Sequence, residues 1–172
     1  MQLIIAKAKK EHIGHIKNIA RTCWQQICPE VLHENSINSY IDKQYTSEEL
    51  AKLLSDSSTW FYVMSDGDEV IGLCQLTRKD NDPAIGIFEK IFVLPDYQDH
   101  KIVYRLFQTA LKAAVGDGVT EVEVNIPECS QKWRSIFIDI GVEFEPWRKF
   151  EQDIGGQNLA MWPGVLVIIP GC

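Results

Sequence analysis

The sequence contains no apolar run long enough to cross a membrane. Its longest aliphatic run, Val165 to Ile169, falls far short of the ~18 to 20 residues such a helix takes and reads as a strand. No secretory leader is expected either, because the apolar run in MQLIIAKAKKEH is short and its basic residues follow it rather than precede it. Positive charge is scarce: 17 Lys and Arg against 24 Asp and Glu leave a net −7, which works against attraction to nucleic-acid phosphates or anionic membranes. There is no CxxC pair. The five cysteines, Cys23, Cys28, Cys74, Cys129 and Cys172, are odd in number and scattered, so neither a disulfide framework nor a zinc ribbon is expected, and they read as reduced, mostly structural thiols. What remains after these exclusions is a cytoplasmic protein whose partner is a small molecule, a peptide or a cationic amine.

With 172 residues, 45% of them apolar, the chain can bury one sizeable core and is too short for two ordinary domains. Residues 2 to 7 form a short apolar strand, followed by a helix in which Ile13, Ile16, Ala20, Cys23 and Ile27 recur at three- and four-residue steps. Pro29 interrupts it, and Val31 to Gln44 fits no single pattern. Thr46-Ser47-Glu48-Glu49 then resembles a capped helix start before Leu50, Leu53 and Leu54. Thr59 to Met64 and Val70 to Thr77 flank the turn Ser65-Asp66-Gly67-Asp68 as a hairpin, and Ala84 to Leu94 adds a third antiparallel strand that ends at Pro95.

A helix with Val103, Leu106, Phe107, Ala110, Leu111 and Ala114 on one face follows, with Gly116 placed to close it. Val119 to Ile126 alternates apolar and polar residues as a strand, and a helix from Ser130 to Ile140 stops at Gly141. Val142 to Phe150 and Val165 to Ile169 supply the last two strands, with Gly155-Gly156 and Pro163-Gly164 as loop markers. The class is α+β: a single domain with a mixed, mostly antiparallel sheet of about seven strands flanked by helices.

This order, together with IFEKIFVLPDYQDHKIVYRLFQTALKAA at residues 87 to 114, resembles the acetyl-CoA-binding segment of the GCN5-related N-acetyltransferase (GNAT) superfamily. In that segment a strand ending in V-x-P leads through a loop into a helix. The resemblance implies an enzyme that moves an acetyl group from acetyl-CoA to a small amine, polyamine or peptide amine. It leaves a homodimer open. It also implies cofactor contacts from Ile91, Phe92 and Val93 on the strand and from Gln98, Asp99, His100, Lys101, Ile102 and Val103 in the loop. Successive backbone N–H groups and a helix N-terminus cradle a pyrophosphate in the family's Q/R-x-x-G-x-G/A loop. Here Lys101 and Val103 stand where that motif has small residues.

Glu89 matches the family's general base. A second reading, a solvent-facing carboxylate paired with a neighbour such as Lys90, stands beside it. The position where the family often has a tyrosine acid is Phe137, which has no proton to give, leaving water or another donor such as Tyr104. Lys101, Val103 and Phe137 together keep open an alternative: a catalytically degenerate domain that binds a ligand or a partner protein. No metal is expected, since His12 and His15 lack a third ligand and Asp80-Asn81-Asp82 lacks the rest of a calcium loop.

Overall fold

The computed structural model describes residues 1–169. Strand β1 (Leu3–Lys7) leads into three helices, α1 (Ile13–Trp24), α2 (Glu34–Gln44) and α3 (Ser47–Ser55). The meander β2 (Thr59–Asp66), β3 (Glu69–Lys79) and β4 (Asp82–Val93) follows, then α4 (His100–Gly116), β5 (Glu121–Pro127) and α5 (Gln131–Ile140). The chain ends in β6 (Glu143–Phe144), β7 (Phe150–Ile154) and β8 (Gln157–Val167). All eight strands join one sheet in the order β1-β2-β3-β4-β5-β8-β6, with β7 also on β8. Among the described residues the β4–β5 pair alone is parallel, as a strand–helix–strand crossover requires. Among the described residues no helix is long and apolar enough to cross a membrane.

Each face of the sheet buries its own core. Against one lie α4 and α5, whose Leu106, Phe107, Ile136 and Phe137 pack on Phe88, Ile91 and Val93. Against the other lie α1 to α3, with Ile16, Ile41 and Leu50 over Leu73 and Phe92. The Thr46 hydroxyl caps α3 by accepting from the Glu49 N–H at 3.2 Å, the cap its sequence predicts.

Four expectations change. Residues 34 to 44 are helical, but α2 buries only Ile37 and Ile41, so its apolar stripe is too thin to show as a period. The strand expected over Val142 to Phe150 breaks at a tight helical turn, Pro146–Arg148, because Pro fixes φ and donates no hydrogen bond. The last strand starts far earlier than Val165. Gly155-Gly156 forms the β7–β8 hairpin turn with φ of 60° and 95°, whereas Pro163 and Gly164 lie inside β8, opposite Asn125 and Val124. A Cβ on Gly164 would sit 2.8 Å from side-chain atoms of both Phe144 and Val142, so close packing, not a loop, is what this glycine serves. Finally, α4 runs through Gly116 itself, and Gly118 takes the positive φ of 100°.

The thiols also differ from expectation. Cys28 and Cys129 form a disulfide with Cα atoms 5.6 Å apart, while Cys23 and Cys74 are free and buried; Cys172 lies outside the described residues. The partners are separated by 101 positions, and only the approach of the α1–α2 loop to the β5–α5 loop brings them together, so no spacing rule reveals the pair. With it goes the support that reduced thiols lent to a cytoplasmic location. A cross-link closing so long a loop restricts the unfolded chain strongly. Cys129→Ser, or a reductant, is expected to lower unfolding stability by about 2 to 5 kcal/mol; urea titration with and without reductant measures it.

Candidate active site

The site begins where two strands part. β4 and β5 pair only over Ile85–Ile87 and Glu121–Glu123; beyond this β5 continues along β8 and β4 along β3. The wedge between them opens a cavity of about 450 Å³ that touches both cores. Phe88, Ile91, Trp133 and Phe137 of the α4/α5 core line it, as do Trp24, Tyr40, Tyr45 and Met161 of the other core, with Asn125, Ser130 and Gln152 as polar groups. On the β4 edge that faced β5, the ladder ends and backbone polar groups are left for other partners. The Val93 carbonyl accepts from the Gln98 side-chain amide at 2.9 Å and from the Cys23 thiol at 3.4 Å.

A bulge in β4 sets what faces the cavity. Gln75 stands opposite Lys90 and Leu76 opposite Phe88, so Glu89 has no partner residue. The extra residue breaks the alternation of side chains. Phe88 and Ile91 both enter the α4/α5 core. Glu89 and Lys90, between them, lie beside the tyrosines at the C-terminal end of α2: burial raises the pKa of Tyr40 and Tyr45, the charge of Glu89 adds to it, and the Lys90 ammonium stacks 4.4 Å from the Tyr45 ring centroid. Solvent reaches Glu89 through the cavity, yet the surrounding protein still removes enough water to raise its pKa above the ordinary carboxylate value, with Lys90 pulling it partly back. Burial lowers Lys90 to about 8, opposed by the charge of Glu89. Gln75 is 2% exposed; its amide donates to the Thr77 hydroxyl at 3.2 Å, and its carbonyl oxygen has no partner.

Phe137 is fully buried in an edge-to-face cluster, its ring centroid 4.9 Å from Phe88 and 5.5 Å from Phe107. In the loop before α4, the Asp99 carboxylate caps the helix by accepting from the Lys101 N–H at 2.7 Å, and the Gln98 carbonyl oxygen accepts from the Lys132 ammonium at 2.7 Å. Val103 is wholly buried under α4, so its branched side chain is turned away from the helix start. His100 and Lys101 are exposed, and Ile102 is half-buried.

The structure therefore brings Glu89, Ile91 and Phe92 to one cavity. It places the Gln98–Val103 loop at the α4 start outside the cavity lining, although Gln98 reaches back to β4. Tyr104 is 46% exposed on α4 and does not line the cavity; its hydroxyl accepts from Gln108. Among the described residues no three His, Cys, Asp or Glu side chains are placed to hold a metal. Sequence reasoning passed over Lys90 as a pocket group, along with Gln75 and the Tyr40–Tyr45 wall. Gln75 carried a readable signal, a lone amide in the apolar run VIGLCQL; the tyrosines carried none, because α2 itself was not recognised.

The model of the acetyltransferase (GNAT) family matches residues 13–132. No curated protein matches the sequence. Among solved structures, the PaiA N-acetyltransferase from Thermoplasma acidophilum, in complex with coenzyme A, superposes with a TM-score of 0.80 at 21% identity over 94% of this chain and 98% of that one. YncA from Salmonella typhimurium, a putative acetyltransferase with its cofactor acetyl-CoA, gives 0.72 at 14% identity over 100% and 97%. A chimera of the spermidine N-acetyltransferase SpeG from Vibrio cholerae and hSSAT gives 0.68 at 17% identity over 97% and 96%. At these identities the likeness is one of fold.

The depressed Lys90 has a thermodynamic signature. Between about 8 and the ordinary value of 10.5, the unfolded chain holds a proton at this position that the folded chain has lost, so stability rises with pH across that window. Below it both states are protonated and the contribution is flat. Lys90→Met is expected to remove this rise; urea unfolding of both proteins in steps through the window, taken as a difference, reads it.

Proposed function

The chain belongs to the acetyltransferase (GNAT) family, and from that premise we propose that it transfers an acetyl group from acetyl-CoA to a primary amine, with Glu89 as general base. The observation that carries this reading is the position of a carboxylate with raised pKa in a cavity that begins where β4 and β5 part. An amine arrives as an ammonium and must lose a proton before it can attack. A carboxylate held above its ordinary value is better matched to that task near neutral pH. The acidic balance of the chain, −7 overall, favours the approach of a cation, whether a small amine, a polyamine or a peptide amine.

When bound, acetyl-CoA supplies the thioester carbon that the amine attacks. The unladdered edge of β4 at Ile91, Phe92 and Val93 offers backbone groups to it, and the residues from Gln98 to Val103 offer the helix start. Val103 fits this use, because its side chain lies in the core. Lys101, exposed, and Lys132, beside Gln98, add positive charge for phosphates. Phe137 offers no proton to the departing sulfur, and Tyr104 lies away from the cavity, so the sulfur leaves with a proton from water in this reading.

One observation favours the second reading, a domain that binds without catalysing. The Asp99 carboxylate already fills the anion position at the start of α4, and a pyrophosphate has to displace it against like charge.

Two measurements separate these readings. Glu89→Gln is expected to lower kcat by ~10²- to 10⁴-fold while calorimetry shows coenzyme A affinity unchanged; the natural enzyme's rate should rise with pH through a carboxylate titration above the ordinary range. Asp99→Asn keeps a capping side chain and removes the competing charge, so it should tighten coenzyme A binding by ~3- to 10-fold. If coenzyme A binds neither the natural protein nor Asp99→Asn, the transferase reading fails and the binding-module reading takes its place.

A further inference from the structure

The bulge in β4 turns two adjacent side chains of opposite charge toward one cavity, and only one of them has a task in the proposed transfer. Lys90 has no carboxylate within ion-pair distance among the described residues, Glu89 included. Its ammonium rests on the face of Tyr45, which compensates only part of what burial removes. Directly across the sheet, Gln75 is nine-tenths buried and more, lines the same cavity, and keeps an unpartnered carbonyl oxygen. Buried polar groups are normally satisfied. An unpaired ammonium, and next to it an acceptor without a partner, on two residues that line one cavity suit a ligand with an anionic group and a donor.

From this geometry we infer that the acceptor is an amine that also carries a carboxylate, a free amino acid or a close derivative. Lys90 holds the carboxylate and Glu89 receives the ammonium. Gln75 accepts from a remaining N–H of the ligand. A polyamine fits this cavity poorly, since its second ammonium would meet Lys90 in a partly dry site where like charges repel strongly. A simple amine leaves Lys90 and the Gln75 oxygen as they are, and gains nothing from either. The aromatic wall of Trp24, Tyr40 and Tyr45 supplies apolar surface for a side chain. The overall acidity of the protein draws ammonium groups in from solution, whereas the one cation in the cavity lining selects among them.

The inference rests on the transferase reading for its reaction but not for its binding, so the experiment has two arms. In the first, acetylation of the proteinogenic amino acids is followed by mass spectrometry, and rates are compared within matched pairs: phenylalanine against phenethylamine, tryptophan against tryptamine, with spermidine alongside. The carboxylate-bearing member is expected to have the higher kcat/KM. Lys90→Gln is expected to cut that ratio by ~10- to 100-fold, mainly through KM, the range a charge-assisted contact spans, and Lys90→Arg to retain most of it. A ratio at or below one, a ratio untouched by Lys90→Gln, or a protein that binds coenzyme A yet acetylates no amino acid overturns the inference.

In the second arm, calorimetry measures the amino acids on the protein alone. Binding that Lys90→Gln abolishes and Lys90→Arg keeps supports the site even if coenzyme A does not bind. Absence of amino acid binding from a folded protein that also fails to acetylate them overturns it.

Discussion

A strand that loses its neighbour halfway along a sheet is left with backbone groups that must find other partners, and in this protein that loss is the origin of the site. β4 and β5 share only three paired positions. The parting has a geometric cause on each strand: β4 takes an extra residue at Glu89 and stays with β3, while β5 stays with β8 along its own full length, Glu121 to Pro127. One bulge therefore does two things. It ends the strand's commitment to its parallel neighbour, and it reverses the side-chain alternation so that a carboxylate and an ammonium enter the same space.

Charge acts differently at two length scales. The whole chain is acidic, which sets what drifts toward it. Within the site, single side chains decide. Asp99 satisfies the α4 N-terminus with a carboxylate of the chain's own, so the helix is stable without a ligand and the phosphate position is contested. Lys90 is the opposite case, a cation whose burial is only partly offset by Tyr45. One group is satisfied where a cofactor is expected, and the other is unsatisfied where a substrate is expected.

The sheet meander, the two C-terminal helices and the family were legible in the sequence because their signals are local: alternation in Val122, Val124 and Ile126, the apolar stripe of α4, the V-x-P after β4. That same segment pointed to Glu89 as a candidate, and the structure puts it on the cavity lining. What escaped depends on contacts between distant parts. The α2 helix shows two buried residues and no period. The Cys28–Cys129 pair needs the folded loops, and the facing of Lys90 needs a bulge that is defined by β3 as much as by β4. Pro163 and Gly164 read as a loop because their local preference is for one; inside β8, Gly164 is fixed by Phe144 of the neighbouring strand and by Val142 just before it, which leave no room for a Cβ.

The Cys28–Cys129 bond encloses α2, α3, the whole meander, α4 and β5 in one covalent ring. Both half-cystines adjoin cavity-lining residues, Ile27 on one side and Ser130 on the other. A protease that severs the backbone once between them produces no separate fragments: the two pieces remain one molecule, joined beside the site, until the sulfurs are reduced. The ring thus makes the loops of the central sheet places where the chain can be cut without being divided.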